Sequence, residues 1–274
     1  MKRFLTMACV AAMAVSAQAQ KAYQVNFTAT PPVIDGVAAA TEWQAAPQGG
    51  GDFVAHDTGV LSTEQTVFRV LWDSTNLYLL MQAVDNNVAF DPSLTGNSAA
   101  ITFTKDDLEL FLDPISSRNS EPNPSHKYQM VFYPKTDASG NAVDGPTGFI
   151  WGAAGATDFP GVGTWPSASG ATVRTWVTVI PIGPSQAIMT MEAQIPFAAF
   201  DVATVNTAPV NLPPQNGDVW SAQPARVHDA GSANNTGYSK WNPSAAGFRT
   251  KPWGLWTFAG APNLTAAQDW QHLE

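Results

Sequence analysis

The fold class is decided by one short stretch of the sequence, Asp107-Leu108-Glu109-Leu110-Phe111-Leu112-Asp113, in which leucine alternates with other residue types. Successive side chains of a β-strand point to opposite faces, so the three leucines share one face and Glu109 lies on the other. One apolar face and one charged face are typical of an antiparallel sheet that packs on a core with one side and faces solvent with the other. The stretch therefore predicts a strand whose Glu109 carboxylate points outward.

Further strands are predicted on both sides of this stretch, because short runs rich in β-branched and aromatic residues recur between turn-forming residues. These runs are Thr66–Trp72, Leu77–Val84, Leu108–Asp113, Lys127–Tyr133, Val173–Ile180, Ala187–Ile195, Val219–Arg226 and Leu255–Phe258. The polar turn at residues 73–76 predicts a hairpin of the first two. Many short strands without a convincing long amphipathic helix predict an all-β protein, an antiparallel β-sandwich of the immunoglobulin-like or jelly-roll type.

Long segments without strand signals separate the predicted strands, at residues 89–104, 114–126, 138–172 and 203–217. Segments of this length in a compact domain commonly carry function or are mobile. The 138–172 segment is as compatible with a purely structural role as with a binding role. The expected architecture is a single domain with long loops.

The amino-acid composition excludes several classes of protein. The 274 residues include 13 Lys and Arg against 22 Asp and Glu, which is a formal net charge of −9. Only 13% of the residues are charged while 45% are hydrophobic, and disordered segments have the opposite balance. A net negative charge repels phosphate, so a nucleic-acid partner is not expected. The composition indicates a globular protein, rich in aromatic residues and long enough to bury a core.

Residues 1–19 have the layout of a secretory signal peptide. Two basic residues are followed by an apolar run over Phe4–Val15 and by the small residues that signal peptidase requires. The run is shorter than the roughly 20 residues that span a bilayer, so no membrane span is expected. The prediction is a secreted protein, periplasmic or extracellular, whose domain covers residues 20–274. The only cysteine, Cys9, leaves with the signal peptide, which excludes a disulfide in the mature chain.

A series of short phrases occurs in a definite order over residues 31–258. The phrases are Pro32–Gly36 with Glu42-Trp43, Val70–Asp73, Asn76–Leu79, Val84-Asp85, Asp106–Asp113, Tyr128–Met130, Met191–Pro196, Gly217–Trp220 with Arg226, Tyr238–Trp241 and Trp253–Phe258. No single phrase is specific, but their order over most of the chain resembles family 9 of the carbohydrate-binding modules, which belongs to the broader group of DOMON-like β-sandwiches.

The resemblance implies a non-catalytic protein whose ligand is a carbohydrate. Well-known members of the family bind sugar between two aromatic rings, hold its hydroxyl groups with carboxylates and amides, and contain structural calcium. The apolar C–H faces of a sugar stack on aromatic rings, while its hydroxyl groups need polar partners. A carbohydrate-active enzyme served by this protein is expected to be a separate chain.

The resemblance also assigns candidate carbohydrate-binding residues. Asp85 and Glu109 stand at positions where the family binds sugar hydroxyl groups. Phe103 and Phe248 stand where the family has its two stacking tryptophans, and Tyr133 replaces an asparagine of the middle strand.

The tryptophans fall into two groups. Those within predicted strands or the N-terminal phrase are expected in the core, namely Trp43, Trp72, Trp220 and Trp256. The others lie in or beside loops, where binding surfaces are commonly built, namely Trp151, Trp165, Trp241, Trp253 and Trp270. Asn242 follows Trp241 and places an amide beside an aromatic face, so we expect Trp241 to contact the sugar.

Acidic residues cluster at the first strand quoted above, at Asp106, Asp107, Glu109 and Asp113. A glycosidase carboxylate pair is one interpretation, since residues i and i+2 of a strand lie roughly 6.6 Å apart, between the separations of retaining and inverting enzymes. No second carboxylate across a cleft is identifiable. The group is therefore interpreted as a solvated face that contacts calcium or hydroxyl groups, and the protein is not expected to be an enzyme.

Calcium is the one cofactor expected, because it takes six to eight oxygen ligands and the loops are rich in oxygen donors. Two loose candidate sets are Asp137-x-Ser139-x-Asn141 and the group Asp85, Asn86, Asn87 and Asp91.

Two alternative functions stay open. One is a haem b-binding electron-transfer sandwich, although Met81, Met130, Met189 and Met191 show no spacing that signals haem. The other is a structural or assembly protein at the cell surface, with exposed aromatic residues against another chain.

Overall fold

A computed structural model describes residues 20–86, 106–114, 128–133, 149–153, 173–184, 186–201, 209–228, 237–243 and 252–260, with only the backbone described for residues 149–153. The strands are β1 (Ala22–Phe27), β2 (Gly49–Gly50), β3 (Val54–Ala55), β4 (Thr66–Trp72), β5 (Asn76–Asp85), β6 (Asp107–Asp113), β7 (Tyr128–Phe132), β8 (Phe149–Ala153), β9 (Arg174–Pro181), β10 (Ala187–Pro196), β11 (Val219–Val227), β12 (Tyr238–Lys240) and β13 (Gly254–Ala259). A short helix α1 spans Ala40–Trp43, and a 3-10 turn spans Phe197–Phe200. In these ranges the helical segments are too short to cross a membrane.

The strands form two layers around one core. Hydrogen bonds connect them along the path β8-β7-β6-β11-β13-β1-β4-β5-β10-β9. Side chains from opposite ends of this path meet in the same hydrophobic cluster, for example Leu110 and Met130 from one end with Met81 and Met191 from the other. The sheet therefore folds over on itself near β13 and β1, and the predicted all-β sandwich is confirmed.

One strand departs from the predicted antiparallel arrangement. β1 runs parallel to both of its neighbours, β13 and β4, whereas the other described pairings are antiparallel. Hairpins create antiparallel neighbours, but β1 lies between strands that are not joined to it by a tight turn. The sandwich is therefore mixed. The sequence did not indicate this, because the alternation of side chains within a strand carries no information about the strands that pair with it.

All eight predicted strands are present, with ends that differ by one residue at most. The sequence interpretation missed β1, although Tyr23 and Val25 alternate with exposed residues on it and are buried. It also missed β8 and the very short strands β2, β3 and β12. Two- and three-residue strands are too short to show an alternation, and they exist because neighbouring strands offer hydrogen-bonding partners.

The prediction of a solvent-facing side on β6 is wrong. Leu108, Leu110 and Leu112 lie in the core as expected, but every residue of β6 is buried, including Glu109. The second face of β6 is therefore packed as well, and on it the Phe111 ring meets the Trp253 ring at 5.7 Å between centroids. Alternation identifies which residues share a face and does not indicate whether that face is covered.

A segment before β2, residues 34–46, packs on the outer face of β4 and β5 as a second hydrophobic cluster with Leu71, Tyr78 and Leu80. Its tight approach requires a glycine at position 36, which has a φ of +79°. A Cβ atom there would lie 2.2 Å from the Thr178 hydroxyl oxygen and 2.3 Å from the Trp176 ring. This contact explains why the loop that contains the Pro32–Gly36 phrase has a glycine at its last position.

Candidate functional site

Polar side chains gather on the side of the β6 layer that faces away from the core. Phe111 of β6 pairs with Gln129 of β7 and with Gln223 of β11, so these three share a face with Glu109 and Asp107. We call these five residues the polar face. Three adjacent strands position it, which makes its geometry rigid.

Hydrogen bonds fix the amides of the polar face. Gln129 Nε2 donates to Glu109 Oε2 at 2.6 Å. Gln223 exchanges two hydrogen bonds of 3.0 Å with the backbone of Asn242, and Asn242 Nδ2 donates to the Pro252 carbonyl at 2.9 Å. The segments before and after residues 244–251 are thereby tied to the same sheet.

The polar face is rich in buried acceptor atoms. Oε1 of Gln129 is buried and has no hydrogen-bond partner in the described part of the chain. The Asp107 carboxyl group is also buried, with the Val227 backbone N–H beside it as a donor. Burial, and then the charges of Glu109 and Asp106, raise the pKa of Asp107 well above its ordinary value, although the Val227 N–H and Arg226 oppose the shift. The site can therefore accept hydrogen bonds from a ligand that carries several donors.

Asp85 lies elsewhere. Its carboxylate forms a buried ion pair with the Arg226 guanidinium, which also donates to the Val84 carbonyl at 2.8 Å. Arg226 pairs with Leu108 in the β6–β11 ladder and so points to the core side, opposite to Glu109. The structure therefore places the Asp85 and Glu109 carboxylates on opposite sides of the β6–β11 ladder.

Two more residues complete the group around Asp85. Glu64 Oε2 lies 3.4 Å from Arg226 and 3.1 Å from His228 Nδ1. Burial by itself would raise the pKa of Glu64, but the His228 hydrogen bond and the charges of Arg226 and His228 outweigh it and lower the pKa. We call Glu64, Asp85, Arg226 and His228 the ionic cluster. Sequence reasoning missed it, although an arginine inside a predicted core strand signals a carboxylate partner.

Trp241 is a core residue, contrary to the expectation of an accessible ring. It is only 4% exposed and packs edge-on against Phe68, with centroids 5.1 Å apart. Its ring occupies the space left by Gly254, where a Cβ atom would lie 2.1 Å from the ring. Trp253 is buried as well, so proximity to a loop in sequence did not indicate exposure. The four tryptophans expected in the core are all buried.

The remaining candidate residues are placed as follows. Tyr133 follows β7 and is buried. Phe103 and Phe248, the predicted stacking rings, lie outside the described residues, as do Trp165 and Trp270. The stacking arrangement therefore stays a prediction.

The calcium site expected from the sequence has two sets of candidate ligands. No group of three or more His, Asp or Glu side chains in the described ranges is arranged to hold a metal. Asp85 is engaged by Arg226, while Asn87, Asp91 and the Asp137-x-Ser139-x-Asn141 set lie outside those ranges. The four methionines considered for haem all fill the core.

Comparison with known proteins identifies the family. The sequence model of the "Carbohydrate family 9 binding domain-like" family matches residues 34–247, which is most of the chain, so the chain belongs to this family. No curated protein sequence is significantly similar to it.

Three solved structures are similar to this chain, and the first of them, with a TM-score above 0.5, supports the fold. A protein from Bacteroides uniformis ATCC 8492, described as a proposed carbohydrate-binding protein, has a TM-score of 0.58 at 11% identity, over 88% of this chain and 100% of its own. A family 9 carbohydrate-binding module from Caldicellulosiruptor kristjanssonii, solved with cellotriose, has a TM-score of 0.48 at 15% identity, over 89% of this chain and 96% of its own. The same kind of module solved with glucose has a TM-score of 0.47 at 15% identity, over 89% and 98%.

Proposed function

We propose that this protein binds carbohydrate at the polar face and does not catalyse a reaction. The observation that carries the proposal is the pair of buried acceptor groups, the Asp107 carboxyl group and Gln129 Oε1, which face away from the core and have more acceptor capacity than the described donors fill. Sugar hydroxyl groups are hydrogen-bond donors, which such acceptors need. Membership of a carbohydrate-binding family supports the same ligand class.

The chemistry favours a neutral sugar. The carboxyl groups of Asp107 and Glu109 stand side by side with an amide, and an anionic ligand would add a further negative charge to them. A hydroxyl group can donate to these oxygens without changing the net charge. Because Asp107, Glu109 and Gln129 are at most 1% exposed, the sugar has to displace groups that now pack against them.

The aromatic part of the proposal rests on the family resemblance. Phe103 and Phe248 are proposed to stack on the apolar faces of the sugar, with Tyr133 at the end of β7 as a further contact. Stacking of C–H groups on a ring supplies apolar contact that hydrogen bonds to hydroxyl groups do not. Trp241 is not included, because its ring is buried against Phe68.

The setting of the protein is also a proposal. Residues 1–19 are proposed to direct secretion to the periplasm or the exterior. The partners are proposed to be a glycan and a separate carbohydrate-active enzyme or surface assembly. Structural calcium is proposed only for residues outside the described ranges, such as Asp137, Ser139 and Asn141.

Isothermal titration with cellotriose and with glucose tests the binding proposal. Glu109→Gln keeps the side-chain shape and removes the charge that strengthens a hydrogen bond from a hydroxyl group. We expect the affinity to fall about tenfold or more, since a hydrogen bond to a charged group contributes roughly 1.5–3 kcal/mol.

Asp52→Asn is the matched control, because Asp52 is an exposed carboxylate that pairs with Lys21 at 2.7 Å and lies outside the polar face. Its affinity should equal that of the wild type. Absence of binding by the wild type to any neutral glycan at millimolar concentration would contradict the proposal. Equal affinities for Glu109→Gln and the wild type would contradict the assignment of the site.

A further inference from the structure

A cleft with a volume of about 440 Å³ opens beside the ionic cluster, away from the residues of the polar face. Glu64 and His228 line it and are both 8% exposed. Its walls come from the turn between β3 and β4, with Thr58, Val60 and Leu61, and from Tyr238 at the start of β12. The volume falls within the range of small-molecule sites in proteins.

The lining combines apolar and hydroxyl-bearing side chains. Val60 is 65% and Leu61 is 61% exposed, so two aliphatic side chains lie open to solvent beside the cleft. Thr58 and Thr63 add hydroxyl groups. The Tyr238 ring is held edge-on against His56, with centroids 5.0 Å apart. A ligand that fits this lining has apolar C–H groups and several hydroxyl groups on one small frame.

The charges that line the cleft are compensated within the protein. The Glu64 carboxylate lies 3.1 Å from His228 Nδ1 and accepts a hydrogen bond from the Asn86 backbone N–H at 3.1 Å. The Arg226 guanidinium forms an ion pair with the same carboxylate, at 3.4 Å from Glu64 Oε2. A carboxylate at Nδ1 fixes the orientation of the imidazole. With its own carboxylate satisfied in this way, the cleft offers no strong attraction to a charged ligand.

The walls are rigid, which reduces the entropic cost of binding. The turn is closed by hydrogen bonds from the Ala55 N–H to the Val60 carbonyl at 2.7 Å and from the Gly59 N–H to the Ala55 carbonyl at 2.9 Å. Gly59 has a φ of +69°, the left-handed region that favours glycine. On the other side, the His228 N–H donates to the Gly237 carbonyl at 2.6 Å.

We propose that this cleft is a second binding site, which takes a neutral sugar residue. Its aliphatic wall and the Tyr238 ring contact the apolar face of the sugar, and its hydroxyl-bearing side chains bind the hydroxyl groups. The site shares no residue with the polar face, so it stands whether or not the polar face binds sugar. Two such sites on one module would engage two points of a glycan chain or two chains.

Nitrogen-15 correlation spectra of the full chain, titrated with glucose and separately with cellotriose, test the proposal. We expect saturable shifts of the backbone amides of residues 58–63, 237 and 238. Leu61→Ala removes apolar contact and should weaken binding in the cleft about fivefold. Thr63→Trp should abolish it by filling the cleft. Both positions are exposed, so both variants should fold.

Val37→Ala is the matched control, since Val37 is 63% exposed and lies outside the cleft. The side-chain amides of Gln129 and Gln223 report the polar face in the same spectra. Shifts at those amides without shifts in the cleft would overturn the second site and leave the proposed function standing. Shifts in the cleft alone would support the second site and count against the polar face. If no amide of either site shifts, both binding proposals are overturned. Unchanged binding in Leu61→Ala and Thr63→Trp would overturn the proposal that the cleft binds sugar.

Discussion

Arg226 is the residue that separates two carboxylates which, from sequence, belong to one site. It crosses from β11 to the other layer and pairs with Asp85, while Glu109 faces away on the opposite side of the same ladder. A guanidinium that is fully buried must be paired, because an unpaired charge in the core is very costly. Asp85 therefore compensates the charge of Arg226 on the core side of the sheet, whereas the polar face is on the outer side.

The first prediction concerns this pair. Asp85→Asn removes the nearer carboxylate from the buried Arg226 and leaves only the longer contact to Glu64 at 3.4 Å, so it should lower the free energy of unfolding by about 3 kcal/mol, measured by urea denaturation. The affinity of the folded variant for sugar at the polar face should not change. The exposed Asp52→Asn variant should lose far less stability. A folded Asp85→Asn protein of normal stability with weaker sugar binding would show that Asp85 contacts the ligand after all.

The second prediction concerns Asp107, whose pKa is raised by burial and then by the charges of Glu109 and Asp106. Below about pH 4 this carboxyl group is protonated in both the folded and the unfolded chain, so it makes no pH-dependent difference. As the pH rises further, the unfolded chain releases the proton and the folded chain retains it. Folding therefore loses up to about 1.4 kcal/mol per pH unit until the folded-state pKa is passed.

Asp107→Asn removes this loss. The variant should match the wild type in stability near pH 4 and exceed it increasingly toward pH 7, as thermal or urea unfolding at a series of pH values will show. Asp52→Asn, a change on the surface outside the polar face, is measured over the same pH series as the control. A stability difference for Asp107→Asn that stays constant with pH would contradict the raised pKa.

At the scale of elements, the segment of residues 34–46 depends on one side chain of β10. Glu192 accepts hydrogen bonds from the backbone N–H groups of Asp35 at 3.1 Å and Gly36 at 2.8 Å, and from Trp43 Nε1 at 2.9 Å. Burial raises the pKa of Glu192, and the three hydrogen bonds oppose this shift without cancelling it. Glu192, on the outer face of β10, thus holds residues 34–46 against the sheet, although this segment has almost no secondary structure of its own.

The third prediction follows from this anchor. Glu192→Ala leaves three donors without an acceptor and should lower the free energy of unfolding by about 2–4 kcal/mol. Hydrogen exchange at the Gly36 amide should speed up, and Trp43 fluorescence should shift toward that of an exposed ring. Gln194→Ala, two residues along on the same face, is the control and should affect neither signal. Unchanged exchange at Gly36 would show that packing alone holds the segment.

Strand positions could be predicted because alternation and turn residues are local properties of the chain. Thr66–Trp72 was located without error, and the hairpin to β5 followed from the polar turn at residues 73–76. The parallel placement of β1 could not be predicted, because its neighbours β13 and β4 are chosen by packing across the whole chain. The burial of the second face of β6 escaped prediction for the same reason.

At the scale of the molecule, the sandwich has two chemically different candidate sites. The polar face lies on the outer side of the β6, β7 and β11 layer, and the cleft lies beside the ionic cluster that joins the two layers. The core between them is filled by leucine, methionine and aromatic side chains. The excess of aromatic residues over charged ones therefore reflects chiefly the core, since the tryptophans with described side chains are buried or half-buried.

By itself, the sequence determined which segments are strands, which side chains share a face of a strand, and which family the chain resembles. These features depend on neighbours a few residues apart and on the order of phrases along the chain. Only the tertiary structure decided that β6 is covered on both faces, that Trp241 is a core residue and that Asp85 pairs with Arg226. That pair joins residues 141 positions apart, and no periodicity of the chain encodes a contact over such a separation.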